Sequence, residues 1–143
     1  MTERELELDL TGEVVVITGG AGVLCGVMAS ALAERGAAVA VLDIDEDGAE
    51  SKAGEIRDAG GKAVAVPCNV LERESLEQAR KLVKETLGSP TILINGAGGN
   101  KSEATTGPDK EFFDLPADAV QWVFNLNFVG TLLTSQVFGE EMA

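Results

Sequence analysis

The sequence predicts an α/β fold on a doubly wound parallel sheet, incomplete at four strands and ordered 3-2-1-4. Three observations carry that expectation. Short apolar runs of Val, Ile, Leu and Ala alternate with longer stretches of helical period, and repeated strand-helix units build a parallel sheet through right-handed crossovers. The runs are apolar almost throughout, as strands covered on both faces are. The unusual Gly-rich and polar clusters follow such runs, so they would meet on the carboxyl rim of the sheet, where open α/β sheets bind ligands.

Val14-Val-Val-Ile-Thr18 is the first predicted strand. Leu24, Val27, Met28, Ala31 and Leu32 then follow the stripe of an amphipathic helix, which Gly36 can end. Ala38-Val-Ala-Val-Leu42 is the second strand, and residues of about 46–59 form a second helix closed by Gly60-Gly61. Ala63-Val-Ala-Val66 is the third strand. A third helix over about 72–87 carries Leu76, Ala79, Val83 and Leu87 on one side, with Gly88-Ser-Pro beyond it, and Thr91-Ile-Leu-Ile94 is the fourth strand. An irregular stretch from Gly96 to Pro116 follows, of a length that usually serves function or is disordered. The last helix runs to Ala143 and is apolar nearly all round. Val120, Val123, Phe124, Phe128 and Thr131 lie on one side, and Trp122, Leu126, Val129, Leu133 and Val137 on the other. Such a helix is covered both by its own domain and by something else, either a partner subunit or a part of the chain not present here.

At 143 residues and 45% hydrophobic content the chain has the size and core of about one domain. Its formal charge of −13 repels nucleic-acid phosphates and anionic lipid, which excludes both as general partners. It has no His and no Tyr, so no imidazole base, His metal ligand or phenol acid is available within it. No metal site is predicted. Cys25 and Cys68 lack the spacing of a zinc site or disulfide framework and are expected to be small buried groups, reduced in the cytoplasm. The acidic start, Met1-Thr-Glu-Arg-Glu-Leu-Glu-Leu, does not resemble a signal peptide, and no apolar run approaches the ~18 residues of a membrane span.

The most informative segment is Thr18-Gly-Gly-Ala-Gly-Val-Leu-Cys-Gly26, between the first strand and the first helix. Glycines there let backbone approach an anion, and the helix's free N–H groups attract a pyrophosphate. Read as G-x-G-x-x-G/A, it gives Gly20, Gly22 and Cys25, an imperfect Rossmann-like fingerprint. Asp43 closes the second strand about 20 residues beyond Gly22, where an acid accepts hydrogen bonds from adenosine ribose hydroxyls. Asp45, Glu46 and Asp47 follow with no Arg or Lys among them. A 2′-phosphate would meet like charge at roughly 1 kcal/mol per pair at 4 Å in water and ~4 at an effective dielectric of 20, so NAD is favoured and NADP disfavoured. Asn69, after the third strand, could meet the adenine amino group or form an Asx turn. Asn95-Gly-Ala-Gly98 ends the fourth strand. Asn125 and Asn127 interrupt the last apolar helix, and a buried amide needs a hydrogen-bonding partner.

Together these residues resemble the short-chain dehydrogenase/reductase family over about residues 12–143. The matching pieces are Thr18-Gly19 with the glycine-rich turn, Asp43, Asn69-Val70 in the place of Asp-Val, Asn95-Gly96-Ala97-Gly98 in the place of Asn-Asn-Ala-Gly, and Asn127-Phe-Val-Gly-Thr131. Val23 and Cys25 stand where the family has its later glycines, Asn69 where it has Asp, and Gly96 where it has Asn. The turn and Gly-Ala-Gly-Gly-Asn100 look most like the mannonate or fructuronate oxidoreductase branch. The resemblance implies NAD-dependent hydride transfer to or from a carbonyl or alcohol substrate, in a homo-oligomer, tetramer or dimer, that uses the last helix as its interface. It places Thr18, Gly19, Gly20, Gly22, Val23, Leu24, Asp43, Ile44, Asn69, Val70, Asn95, Gly96, Ala97 and Gly98 at the cofactor, and gives Asn127 the anchoring of a proton-relay water. The family's Ser and Tyr-x-x-x-Lys have no match in residues 1–143. The chain is therefore expected to be one dinucleotide-binding domain, the N-terminal half of a longer enzyme domain, and inactive alone.

Two other readings are open. A non-catalytic NAD-binding module or sensor needs no Tyr, and a methyltransferase on a similar sheet would use Asp43 but not Asn95-Gly-Ala-Gly98.

Overall fold

The computed structural model describes residues 8–143. The start of the chain, whose acidity argued against a signal peptide, lies outside the described residues up to residue 7. The chain runs β1 (Val14–Thr18), α1 (Val23–Glu34), β2 (Ala38–Asp43), α2 (Glu46–Asp58), β3 (Lys62–Pro67), α3 (Arg73–Thr86) and β4 (Ile92–Asn95). After two short 3₁₀ turns, at Ser102–Ala104 and Phe112–Asp114, come α4 (Ala117–Phe124), a wide π turn (Asn125–Val129) and α5 (Gly130–Met142). The strands form one sheet in the order β3-β2-β1-β4, every pair parallel. Thr18 is level with both Leu42 and Asn95, so the three strand ends share one rim.

Alternation along β1 splits the core in two. Val15 and Ile17 pack with α1 and α2 on one side, while Val14 and Val16 meet α3 and α5 on the other, where Phe138 is the largest fully buried side chain. On α3, Leu76, Ala79 and Val83 face inward as the spacing predicts. On α2, the Asp45 carboxylate caps the first turn by accepting from Gly48 N–H at 3.1 Å.

The first helix forms where expected but is turned around. Its stripe of Leu24, Val27, Met28 and Ala31 faces outward, with Leu24 75% and Val27 65% exposed, and the helix buries Cys25, Gly26, Ala29 and Ala33 instead. Only Leu32 of the predicted stripe packs against the core. Both faces of this helix are apolar, so periodicity alone does not choose between them. Small residues win the inner face because the helix begins close upon the end of β1.

The last helix is one continuous element with its register shifted at the π turn. Asn127 Nδ2 donates to the Val123 carbonyl at 2.8 Å, so a side chain enters the main-chain ladder where the turn widens. Leu126, Leu133 and Val137 meet the core, whereas Val120, Phe124 and Phe128 are exposed, the two phenyl rings stacked at 5.0 Å. No described helix is long and apolar enough to cross a membrane.

Candidate functional site

A cavity of about 440 Å³ opens across the carboxyl ends of the strands, a volume within the range of small-molecule sites. Gly19, Gly22, Val23 and Leu24 form one wall, Asp43, Ile44, Asn69 and Val70 the next, and Gly96, Ala97 and Gly98 the third. The sequence had singled out all of these. Thr18, Gly20 and Asn95 build the frame behind the walls rather than lining it. Cys25, Leu42, Cys68 and Leu126 also line the cavity and were not singled out as site residues. The signal for the two cysteines was their position, one on the first turn after β1 and one directly after β3.

The frame is held by side-chain oxygens that accept backbone N–H groups. Thr18 Oγ1 accepts from Gly96 and Ala97 N–H, both at 3.1 Å, which ties β1 to the end of β4. Gly19 has φ +67, and a Cβ there would lie 2.8 Å from the Gly96 carbonyl oxygen, so only glycine fits this turn. Asp43 Oδ2 accepts from Ala21 N–H and Oδ1 from Asp45 N–H, each at 3.0 Å. Each oxygen keeps a lone pair for a further donor.

The residues present fit a dinucleotide. No side chain caps α1 at Gly22, so its first N–H groups and the positive end of the helix remain available where Val23 and Leu24 meet the cavity. Asp43 lines the same cavity and is tied to the turn before α1 through Ala21 N–H, and Asp45, Glu46 and Asp47 that follow it are acidic. Lys52, on the next turn of α2, pairs with Glu55.

Asn69 forms the Asx turn: Oδ1 accepts from Leu71 N–H at 3.1 Å, and Nδ2 donates to Glu72 at 2.8 Å. Asn95 Nδ2 donates to Ser135 on α5. Asn127 clamps the loop after β4, donating from Nδ2 to the Gly99 carbonyl at 2.7 Å and accepting Gly99 N–H at Oδ1, 3.2 Å. Both amide hydrogens of Asn127 are thus used within the chain, and a lone pair on Oδ1 remains. Asn125 accepts from Gln121 at 2.8 Å. Both thiols are free and buried. Burial, then the Asp43 charge, pushes the Cys25 thiol up; burial also raises Cys68, against a lowering hydrogen bond with Ser75. Among the described residues no cluster of His, Cys, Asp or Glu could hold a metal ion.

An open parallel sheet with its ligand-sized cavity at the point where β1 and β4 diverge defines a Rossmann-like domain. The family model for short chain dehydrogenase matches residues 13–143, and the chain belongs to that family. An uncharacterized oxidoreductase of Haemophilus influenzae is 41% identical over 144 residues, covering 94% of this chain and 50% of the relative. The uncharacterized oxidoreductase UxuB of Bacillus subtilis is 43% identical, covering 96% and 52%. Among solved structures, one provisionally named a D-mannonate oxidoreductase of Haemophilus influenzae, with bound NAD, superposes with a TM-score of 0.88 at 40% identity, covering 94% of this chain and 51% of that one. A 7α-hydroxysteroid dehydrogenase complexed with NADH and a 7-oxo bile acid superposes at 0.83 with 31% identity, covering 95% and 50%. The chain spans about half the length of the curated relatives it matches.

Proposed function

We propose that this chain is the cofactor-binding, N-terminal half of an NAD-dependent oxidoreductase acting on a small carbonyl or alcohol substrate, with a sugar acid as the substrate class. The observation that carries the reading is the cavity itself, where the uncapped start of α1, Asp43 and the Gly96–Gly98 turn converge. The relative solved with bound NAD, provisionally named a D-mannonate oxidoreductase, supports both the cofactor and the substrate class.

When bound, NAD or NADH accepts or supplies hydride. The chain's own residues bind and orient. The N–H groups of Val23 and Leu24 face the pyrophosphate, the free lone pairs of Asp43 accept the adenosine ribose hydroxyls, and Ile44, Asn69 and Val70 border the adenine. Gly96, Ala97 and Gly98 give the other half of the dinucleotide a backbone surface. Asn127 stands behind Gly98, where a Cβ would lie 2.6 Å from Oδ1, and its remaining lone pair anchors a proton-relay water. With no Tyr in its sequence, the 143-residue chain binds cofactor without turnover. The exposed apolar side of α4 and α5, with Phe124 and Phe128, is the surface of a homo-oligomer, and the protein works in the cytoplasm.

Titration with NADH, NADPH and S-adenosylmethionine, followed by Trp122 fluorescence, tests this reading. NADH should saturate at the lowest concentration and S-adenosylmethionine should give no saturation; NADPH as tight as NADH would defeat the assignment of Asp43. Asp43→Ala should weaken NADH roughly tenfold or more, as loss of a hydrogen bond to a charged group does, and narrow the gap to NADPH. Turnover by the 143-residue chain alone would overturn the division of labour.

A further inference from the structure

Two departures from the family pattern touch each other. Cys25 stands where the family has glycine and Gly96 where it has Asn, and they come from separate turns on the rim. A Cβ built on Gly96 would lie 2.1 Å from Cys25 Sγ and 2.7 Å from the Thr18 carbonyl oxygen. Both distances are well inside van der Waals contact, so the volume a side chain at 96 needs is already filled, chiefly by the thiol. The surrounding bonds leave little room for either turn to retreat. Thr18 Oγ1 holds Gly96 and Ala97 N–H at 3.1 Å, and Gly19 lies against the Gly96 carbonyl from the other side. Cys25 is 9% exposed and belongs to the core cluster beneath the sheet's end, yet it and Gly96 both border the cavity.

We propose that Cys25 and Gly96 are a matched pair that sets the gap between the two glycine-rich turns, making Cys25 a positioning residue for the cofactor through the volume of its side chain. The functional half of this proposal rests on the NAD reading of the cavity. The steric half rests on the geometry alone. The thiol acts as a spacer and not as a nucleophile, consistent with its burial beside the Asp43 carboxylate.

The test is a double-substitution cycle on the 143-residue chain, read by NADH affinity and by the melting midpoint. Gly96→Ala should weaken NADH about tenfold, and Cys25→Gly alone by a smaller factor; in the double variant Cys25→Gly should recover about threefold or more of the Gly96→Ala loss, a coupling of the size contacting residues show. Recovery stays partial, because the Thr18 carbonyl still faces the new Cβ. From the other side, Cys25→Val should weaken NADH more than Cys25→Ser, which nearly keeps the volume. That pair still reads the contact if Gly96→Ala does not fold. Additive losses in the cycle, or Ser as damaging as Val, would overturn the proposal. If the unsubstituted chain does not bind NADH, the cofactor reading and the positioning role fall together, and the cycle read in melting midpoints decides the steric pair by the same pattern of signs.

Discussion

α1 and α3 lie on opposite sides of one sheet and bury opposite kinds of residue. α3 turns Leu76, Ala79 and Val83 inward and leaves charged residues such as Glu74 and Lys81 outside. α1 turns Cys25, Gly26, Ala29 and Ala33 inward and leaves Leu24, Val27 and Met28 outside. The difference lies in what each helix follows. α3 begins after an Asx turn and packs by burying Leu76 and Val83, with Leu82 left at its outer edge. α1 begins within the glycine-rich turn that forms the cavity wall, so closeness to β1 and β2 selects small residues at the cost of leaving larger ones uncovered. Burial organises one side of the sheet; the binding rim organises the other.

That contrast predicts unequal responses to substitution. Leu76→Ala should have the largest effect, about 2–5 kcal/mol, because Leu76 is fully buried and the change opens a cavity. Its measure is the urea midpoint at unchanged slope. On α1 the damaging change runs the other way: Ala29→Leu should cost roughly 1–3 kcal/mol by overpacking a site with no exposure. It should also weaken NADH, since it moves the helix that presents Val23 and Leu24. An Ala29→Leu chain as stable as the original would erase the distinction between the two helices.

The same contrast explains what was legible in the sequence. The strand order, the three crossover helices and the rim followed from apolar runs and glycine positions, because those signals are local. The inner face of α1 was not legible: its smallness is a demand of backbone approach, and hydropathy ranks Leu24 and Val27 above Ala29 and Gly26. Cys25 was visible as a fingerprint departure, and Gly96 as another, but their contact comes only from the fold bringing β1 and β4 side by side. The π turn at Asn127 was equally hidden, since it depends on the clamp to Gly99 across the chain.

The two thiols give a titration on each side of the sheet, Cys25 with α1 and α2, Cys68 with α3 and α5. Both are raised from the ordinary value of 9.0. Below that value the thiols are protonated in folded and unfolded chains alike, and their contribution to stability is fully present. As pH rises above it the unfolded chain ionises first, so stability falls until the folded thiols titrate as well. Urea midpoints at about pH 8 and about pH 10.5, on either side of the ordinary thiol range, should show a decline that Cys25→Ser and Cys68→Ser together make shallower. The chain has no Tyr to add a phenol in this window, and lysine titration is common to both proteins. Equal declines would mean that burial does not hold these thiols protonated.

The smallest stability effect belongs to the outer flank of α1. Val27 and Met28 are 65% and 45% exposed, so replacing both with Ser removes little buried surface. The expected change in the urea midpoint corresponds to within about 0.5 kcal/mol per site, as for surface positions generally. Helix propensity does not oppose the change strongly, because Ser and Val differ little in a helix interior and Met exceeds Ser by only a few tenths of a kcal/mol. The solubility of the 143-residue chain should rise, since the substitutions break up a contiguous apolar patch of the kind that drives association. NADH affinity should hold, because neither side chain borders the cavity. A loss of stability comparable to that of Ala29→Leu would show that this flank is packed in solution, and the two faces of α1 would then have to be reversed.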